Sequence, residues 1–158
     1  MENLALVRVL CRRAAVIGAV LHLTVCAVSA QSPESAGRVK IVKGDAVIVR
    51  AGQSRPAAVG DEIFKSDILR TGAASHLGVT LRDETRLALG PGSEVSLTAF
   101  EFAPTASRYE MVLRVVRGAM SYISGRIAKL APERVRLETP SLVIGVRGTH
   151  ALIKVEEP

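Results

Sequence analysis

The side chains able to do chemistry are few in kind and poorly grouped. Beyond residue 30 the chain carries two histidines, His76 and His150, and neither is flanked by a His-x-Glu, His-x-x-x-His or cysteine partner. That spacing predicts no metal centre, because a metal site needs three or four ligands brought together. Ser93, Ser121, Ser124 and Ser141 lack the Gly-x-Ser-x-Gly elbow that lifts a nucleophilic hydroxyl above a strand-to-helix turn. Asp45, Asp61, Asp67 and Asp83 invite comparison with the paired carboxylates of glycoside hydrolysis. Each stands beside Gly, Glu, Ser or Ile at a strand edge or turn, where an aspartate bonds its own backbone, so turn duty is the expected role. No helix follows the glycine clusters, so they cannot cradle a phosphate. The sequence therefore predicts no catalytic residue, no metal ligand and no cofactor site.

The elements that carry these residues alternate with period two. Val39 and Ile41 flank Lys40; Leu77, Val79 and Leu81 flank Gly78 and Thr80; Leu87 and Leu89 flank Ala88. The same alternation returns at Val95 and Leu97, at Met111, Leu113 and Val115, and at Val135 and Leu137. This is the pattern of strands with one buried face. Gly44-Asp45, Gly60-Asp61, Asp83-Glu84, Gly90-Pro91-Gly92 and Arg117-Gly118 cut the runs into short pieces. Only residues 127–134 resemble a helix, and Pro132 interrupts them. The expected fold is all-β: a single domain of about ten to twelve short strands, arranged as a β-roll or solenoid-like stack or as a sandwich. The polar stretch 103–108 reads as a surface loop, a place where binding residues tend to sit.

The N-terminal stretch reads as an address. Arg8, Arg12 and Arg13 precede an apolar run over 14–28, and Val28 and Ala30 supply small residues for cleavage. As a helix that run would extend about 22 Å at ~1.5 Å per residue, short of a bilayer core of roughly 30 Å. Residues 1–30 are therefore expected to be a signal peptide, 31–36 a flexible lead from Gln31, and 37–158 the domain. Periplasmic export with no stable membrane span after cleavage is the expectation; a retained N-terminal anchor is the alternative.

Both cysteines, Cys11 and Cys26, fall in the leader, so the exported chain has no thiol for a disulfide, zinc site or nucleophile. Of the 21 basic residues, Arg8, Arg12 and Arg13 also belong to the leader, which trims the formal net charge of +6. The remaining Lys and Arg are dispersed among acids and read as solvated strand faces. Aromatic residues make up 3% of the chain and Trp is absent, which argues against stacking on nucleic-acid bases or sugars.

The most specific run is Thr139-Pro140-Ser141-Leu142-Val143-Ile144-Gly145-Val146-Arg147-Gly148-Thr149. It resembles the Thr-Pro-x-x-x-x-Gly-Val-Arg-Gly-Thr ending of FecR-type domains. Gly44-Asp45-Ala46-Val47, Val59-Gly60-Asp61-Glu62-Ile63, Asp67-Ile68-Leu69-Arg70-Thr71-Gly72 and Leu77-Gly78-Val79-Thr80-Leu81 stand in that family's order. Two places depart from it. Asp83-Glu84-Thr85 replaces the common Asp-Gly-Ser or Asp-Gly-Thr, so this turn is not expected to adopt the usual positive-φ geometry, and His150-Ala151 replaces an acidic residue followed by an aromatic.

The family's best-known members are inner-membrane regulators of iron-uptake signalling with a cytoplasmic anti-sigma segment. With thirteen residues ahead of its apolar run, this chain is expected to resemble only their periplasmic part. The resemblance implies a periplasmic all-β binding module. In it Thr139, Pro140, Gly145, Val146, Gly148 and Thr149 are expected to be structural, and Arg147 to tie strand ends through its five donors. An exposed Arg147 gripping a partner's carboxylate is the alternative. The expected function is an exported, non-catalytic binding or signalling module whose partner is an envelope protein or cell-surface component. A cell-wall or polysaccharide-binding protein is the alternative, and a small aspartate-based hydrolase a third reading.

Overall fold

A computed structural model describes residues 34–146 and 150–156. The expected signal peptide and most of the flexible lead lie outside the described residues, as do Arg147, Gly148 and Thr149. Twelve strands are present among the described residues: β1 (Gly37–Lys43), β2 (Ala46–Arg50), β3 (Gln53–Pro56), β4 (Glu62–Ile63), β5 (Ile68–Thr71) and β6 (His76–Leu81), followed by β7 (Arg86–Leu89), β8 (Glu94–Ala103), β9 (Arg108–Ile123), β10 (Val135–Glu138), β11 (Val143–Gly145) and β12 (His150–Val155). A short helix, α1 (Arg126–Leu130), lies between β9 and β10 and is followed by a single 3₁₀ turn at Pro132–Arg134. The all-β expectation, with about twelve strands, is met.

The strands form one curled sheet organised by β9. The first part of β9 pairs antiparallel with β8 and parallel with β10, so that Leu113 faces both Leu97 and Leu137. Its last part pairs antiparallel with β7 and β12, where Tyr122 faces Leu87 and Ala151. The long strand is thus shared by two arms: β3-β2-β5-β8-β9-β10-β11 and β4-β1-β6-β7-β9-β12. At the bend between them Gly118 has φ +82°, and a Cβ there would lie 2.5 Å from Ser93 Cα. Only glycine fits that close approach without strain. The single parallel pairing requires the chain to cross back over the sheet, and α1 with its 3₁₀ turn makes that crossover.

Inward residues of both arms meet in one core, with Val39, Leu77, Leu89, Met120 and Ile153 from one side and Ile48, Leu69, Leu97, Leu113 and Leu137 from the other. Two local expectations fail. Ile41 does not share the buried face of Val39; it is 52% exposed. A register shift between Val39 and Ile41 marks a bulge in β1, and the extra residue turns the next side chain to the opposite face. At Asp83-Glu84-Thr85 the turn adopts the positive-φ geometry despite lacking glycine, for Glu84 has φ +71°.

Candidate functional site

The residues singled out for chemistry are placed mostly in structural work. The Asp67 carboxylate is buried and held by Arg50 in a two-pronged pair, Nε to Oδ1 at 2.8 Å and a terminal nitrogen to Oδ2 at 2.7 Å, while Phe64 N–H donates to Oδ2 at 2.8 Å. Arg50 also donates to the Glu62 carbonyl at 2.9 Å, which binds β2 to β4. Its pKa is raised above the ordinary arginine value, first by the hydrogen bond to Asp67. Asp61 accepts from Ala58 N–H at 2.8 Å and from Arg55 at 2.6 Å, and these bonds, the backbone one foremost, hold its pKa below the usual carboxylate value.

Asp83 is fully buried and accepts from the Thr85 hydroxyl at 2.7 Å and from Ile127 N–H at 3.3 Å, while its carbonyl takes Arg126 N–H at 2.6 Å. It therefore fastens the β6–β7 turn to the start of α1. Asp45 offers a fold contact through its backbone, its N–H donating to Ser75 Oγ at 2.7 Å. A glycosidase needs two carboxylates facing one cleft, free to reach the scissile bond; Asp61, Asp67 and Asp83 instead spend their oxygens on bonds within the fold.

One pairing escaped the sequence. Register between β9 and β12 sets Ser121 opposite Leu152 and so diagonal to His150, with Oγ and Nε2 2.9 Å apart. A hydroxyl and an imidazole at this distance resemble the first half of a nucleophilic triad. The pair lies exposed on an open sheet surface, and no hydrogen bond to a third side chain orients the imidazole among the described residues. The only possible signal in the sequence was the strand pairing itself, which period-two alternation does not reveal. His76 stands apart at the start of β6. Among the described residues no group of three or more His, Cys, Asp or Glu side chains could hold a metal ion.

The motif residues shape the β10–β11 hairpin. Thr139 N–H donates to the Leu142 carbonyl at 2.8 Å, and Leu142 N–H donates back to Thr139 Oγ1 at 3.0 Å. Pro140 lies in the turn so closed. A Cβ on Gly145 would meet no atom within 4 Å, whereas Val146 is buried against the core. Arg147, Gly148 and Thr149 fall outside the described residues. Leu142, in the turn, and Val143 and Ile144, on β11, are 64%, 68% and 36% exposed, and β11 pairs with β10 alone among the described strands. The hairpin thus offers an apolar, open sheet edge, the type of surface to which another chain can add a strand.

The aromatic rings are differently disposed. Phe64, Phe100 and Phe102 lie under the guanidinium groups of Arg50, Arg82 and Arg126 at 4.3, 5.8 and 5.1 Å. Rings capped by arginines are poor platforms for sugar stacking.

The fold and these placements define a β-sheet scaffold whose polar core residues tie strands together and whose open surfaces suit recognition. The chain belongs to the FecR protein family, whose model matches residues 67–158. That family is one of non-catalytic signalling regulators. No curated protein and no solved structure matches the chain. The match starts at Asp67, so the motif-like runs at Gly44 and Val59 precede it.

Proposed function

We propose that this FecR-family chain is an exported, non-catalytic binding or signalling module of the cell envelope, and that it recognises a protein or envelope component through the open edge of the β10–β11 hairpin. The observation that carries this reading is the exposure of Val143 and Ile144 on β11, and of Leu142 just before it, within the family's own motif. Exposed apolar edges are normally blunted by charge, proline or a covering segment, so one left open within the family motif is best explained by a partner. The commitment of Asp61, Asp67 and Asp83 to hydrogen bonds within the fold supports a non-catalytic role. The basic, apolar leader over residues 1–30 supports export to the periplasm.

The test is a photo-crosslinker in place of Val143 in the full chain, expressed in cells. A reproducible adduct to one envelope component is expected, and Val143→Lys together with Ile144→Lys should reduce crosslinking from the neighbouring Leu142 position. Hydrolysis of a glycan or peptide by the purified chain, lost on Asp45→Ala or Asp61→Ala without unfolding, would replace this reading with an enzymatic one.

A further inference from the structure

A second surface lies on the outer face of β1, β6, β7, β9 and β12. Register places Ile41 opposite Gly78, Gly78 opposite Ala88, Ala88 opposite Ser121, and Ser121 opposite Leu152. One transverse row therefore crosses five strands. Its ends are large and exposed, Ile41 at 52% and Leu152 at 75%, while its centre is small. Ile41 leans over Gly78, where an added Cβ would lie 3.1 Å from the isoleucine Cβ. Two hollows of about 260 and 280 Å³ flank it, one towards Arg86 and Ile123, the other towards Lys43 and His76. The β1 bulge that turns Ile41 outward is what creates both.

The charges around these hollows are one-sided. Lys40 and Arg86 line the first and Lys43 the second, and none of the three has an ion-pair partner among the described residues. β1, β6, β7, β12 and the 118–123 part of β9 contain no Asp or Glu. The other arm is built differently. There Glu94 answers Arg70 at 3.1 Å and Arg117 at 3.5 Å, and Glu110 answers Arg136 at 3.6 Å. On the first arm Arg38 is answered by Glu62 and Lys154 by Glu156, each at 2.8 Å, so the cations left without a counter-charge among its described residues are those that line the hollows, Lys40, Lys43 and Arg86.

We propose that this face docks an acidic segment of a partner protein, with an aliphatic side chain of that segment entering the hollow beside Ile41 and its carboxylates meeting Lys40, Lys43 and Arg86. Charge complementarity of this kind fixes register and partner choice more than raw affinity. A concave row with a floor of Gly78 and Ala88 receives a side chain. The proposal is independent of the β11 edge, which a crosslinker at position 143 reports separately.

The experiment places a photo-crosslinker at Ala88 of the full chain in cells and maps the adducts by mass spectrometry. The expected adduct is a segment of another protein with at least two Asp or Glu residues near the linked position. Its yield should fall at least about threefold in the combined Lys40→Glu, Lys43→Glu, Arg86→Glu variant, and also in the neutral Lys40→Gln, Lys43→Gln, Arg86→Gln variant, whose exposed sites tolerate glutamine. Crosslinking from position 143 should persist in both. No adduct, an adduct to lipid, to a second copy of this chain or to a neutral or basic segment, or a yield indifferent to both variants would overturn the proposal.

Discussion

Asp83, Glu84 and Thr85 make a turn whose outer residues are satisfied and whose middle residue is strained. The Asp83 carboxylate and the Thr85 hydroxyl bind each other at 2.7 Å, and Gly125 N–H donates to the same hydroxyl at 3.1 Å. Between them the exposed Glu84 is held at φ +71°, a region costly for any residue with a Cβ. The surrounding bonds impose that geometry, and the Glu84 side chain makes no hydrogen bond or ion pair among the described residues to offset it. Glu84→Gly should therefore raise stability, by about 0.5–1 kcal/mol, because relief of the φ penalty outweighs the extra freedom glycine gives the unfolded chain. Thermal and urea melts of the two proteins check this, and a lower midpoint for the glycine variant would show that Glu84 makes a compensating contact. Asp83→Ala has the opposite sign. It strips an acceptor from buried donors at Thr85 and Ile127 and should cost about 2–3 kcal/mol.

At the scale of elements, β9 decides the architecture, and its bend depends on Gly118. The Gly118→Val substitution adds a Cβ at positive φ and 2.5 Å from the Ser93 backbone. A loss of more than about 2 kcal/mol is expected, since backbone cannot yield as a flexible side chain can. Equilibrium urea unfolding measures it, and an unchanged midpoint in the Gly118→Val protein would mean that the bend can move. The strands themselves were legible in the sequence. Leu77, Val79 and Leu81, or Leu87 and Leu89, alternate cleanly, and all five are buried. Which strands pair was not legible, because period two specifies a face and not a neighbour. That one limit hid the double use of β9, the Ser121–His150 contact and the row from Ile41 to Leu152. The bulge in β1 was hidden too, for Val39-Lys40-Ile41 looks like ordinary alternation until the pairing with β6 slips by a residue. The exposed hairpin was half visible: its motif marked the place, but the run Leu142-Val143-Ile144 reads equally well as a buried strand.

Across the whole molecule, both arms close on one core, so stability is expected to be lost in a single cooperative step. Tyr122 lies in that core near the end of β9, with its hydroxyl buried and without a hydrogen-bond partner among the described residues. Burial, and then the negative charge of Asp83, push its pKa up to about 12; the Thr85 hydroxyl, already committed to Asp83, offsets only part of the rise. In the unfolded chain the same phenol ionises near ~10. The folded state thus favours the neutral phenol, and this contribution is complete below about pH 10 and is lost as pH climbs from ~10 towards 12. A shift of this size corresponds to an alkaline loss on the order of 2–3 kcal/mol. Tyr122→Phe removes the ionisable group while keeping the ring, and the lost hydroxyl leaves no partner stranded. Its stability at neutral pH should equal or slightly exceed that of the parent. Urea midpoints taken at intervals from pH 7 to 12 should show the parent falling more steeply above pH 10 than the phenylalanine variant. Parallel curves would mean that the phenol reaches solvent or a buried base before the fold opens.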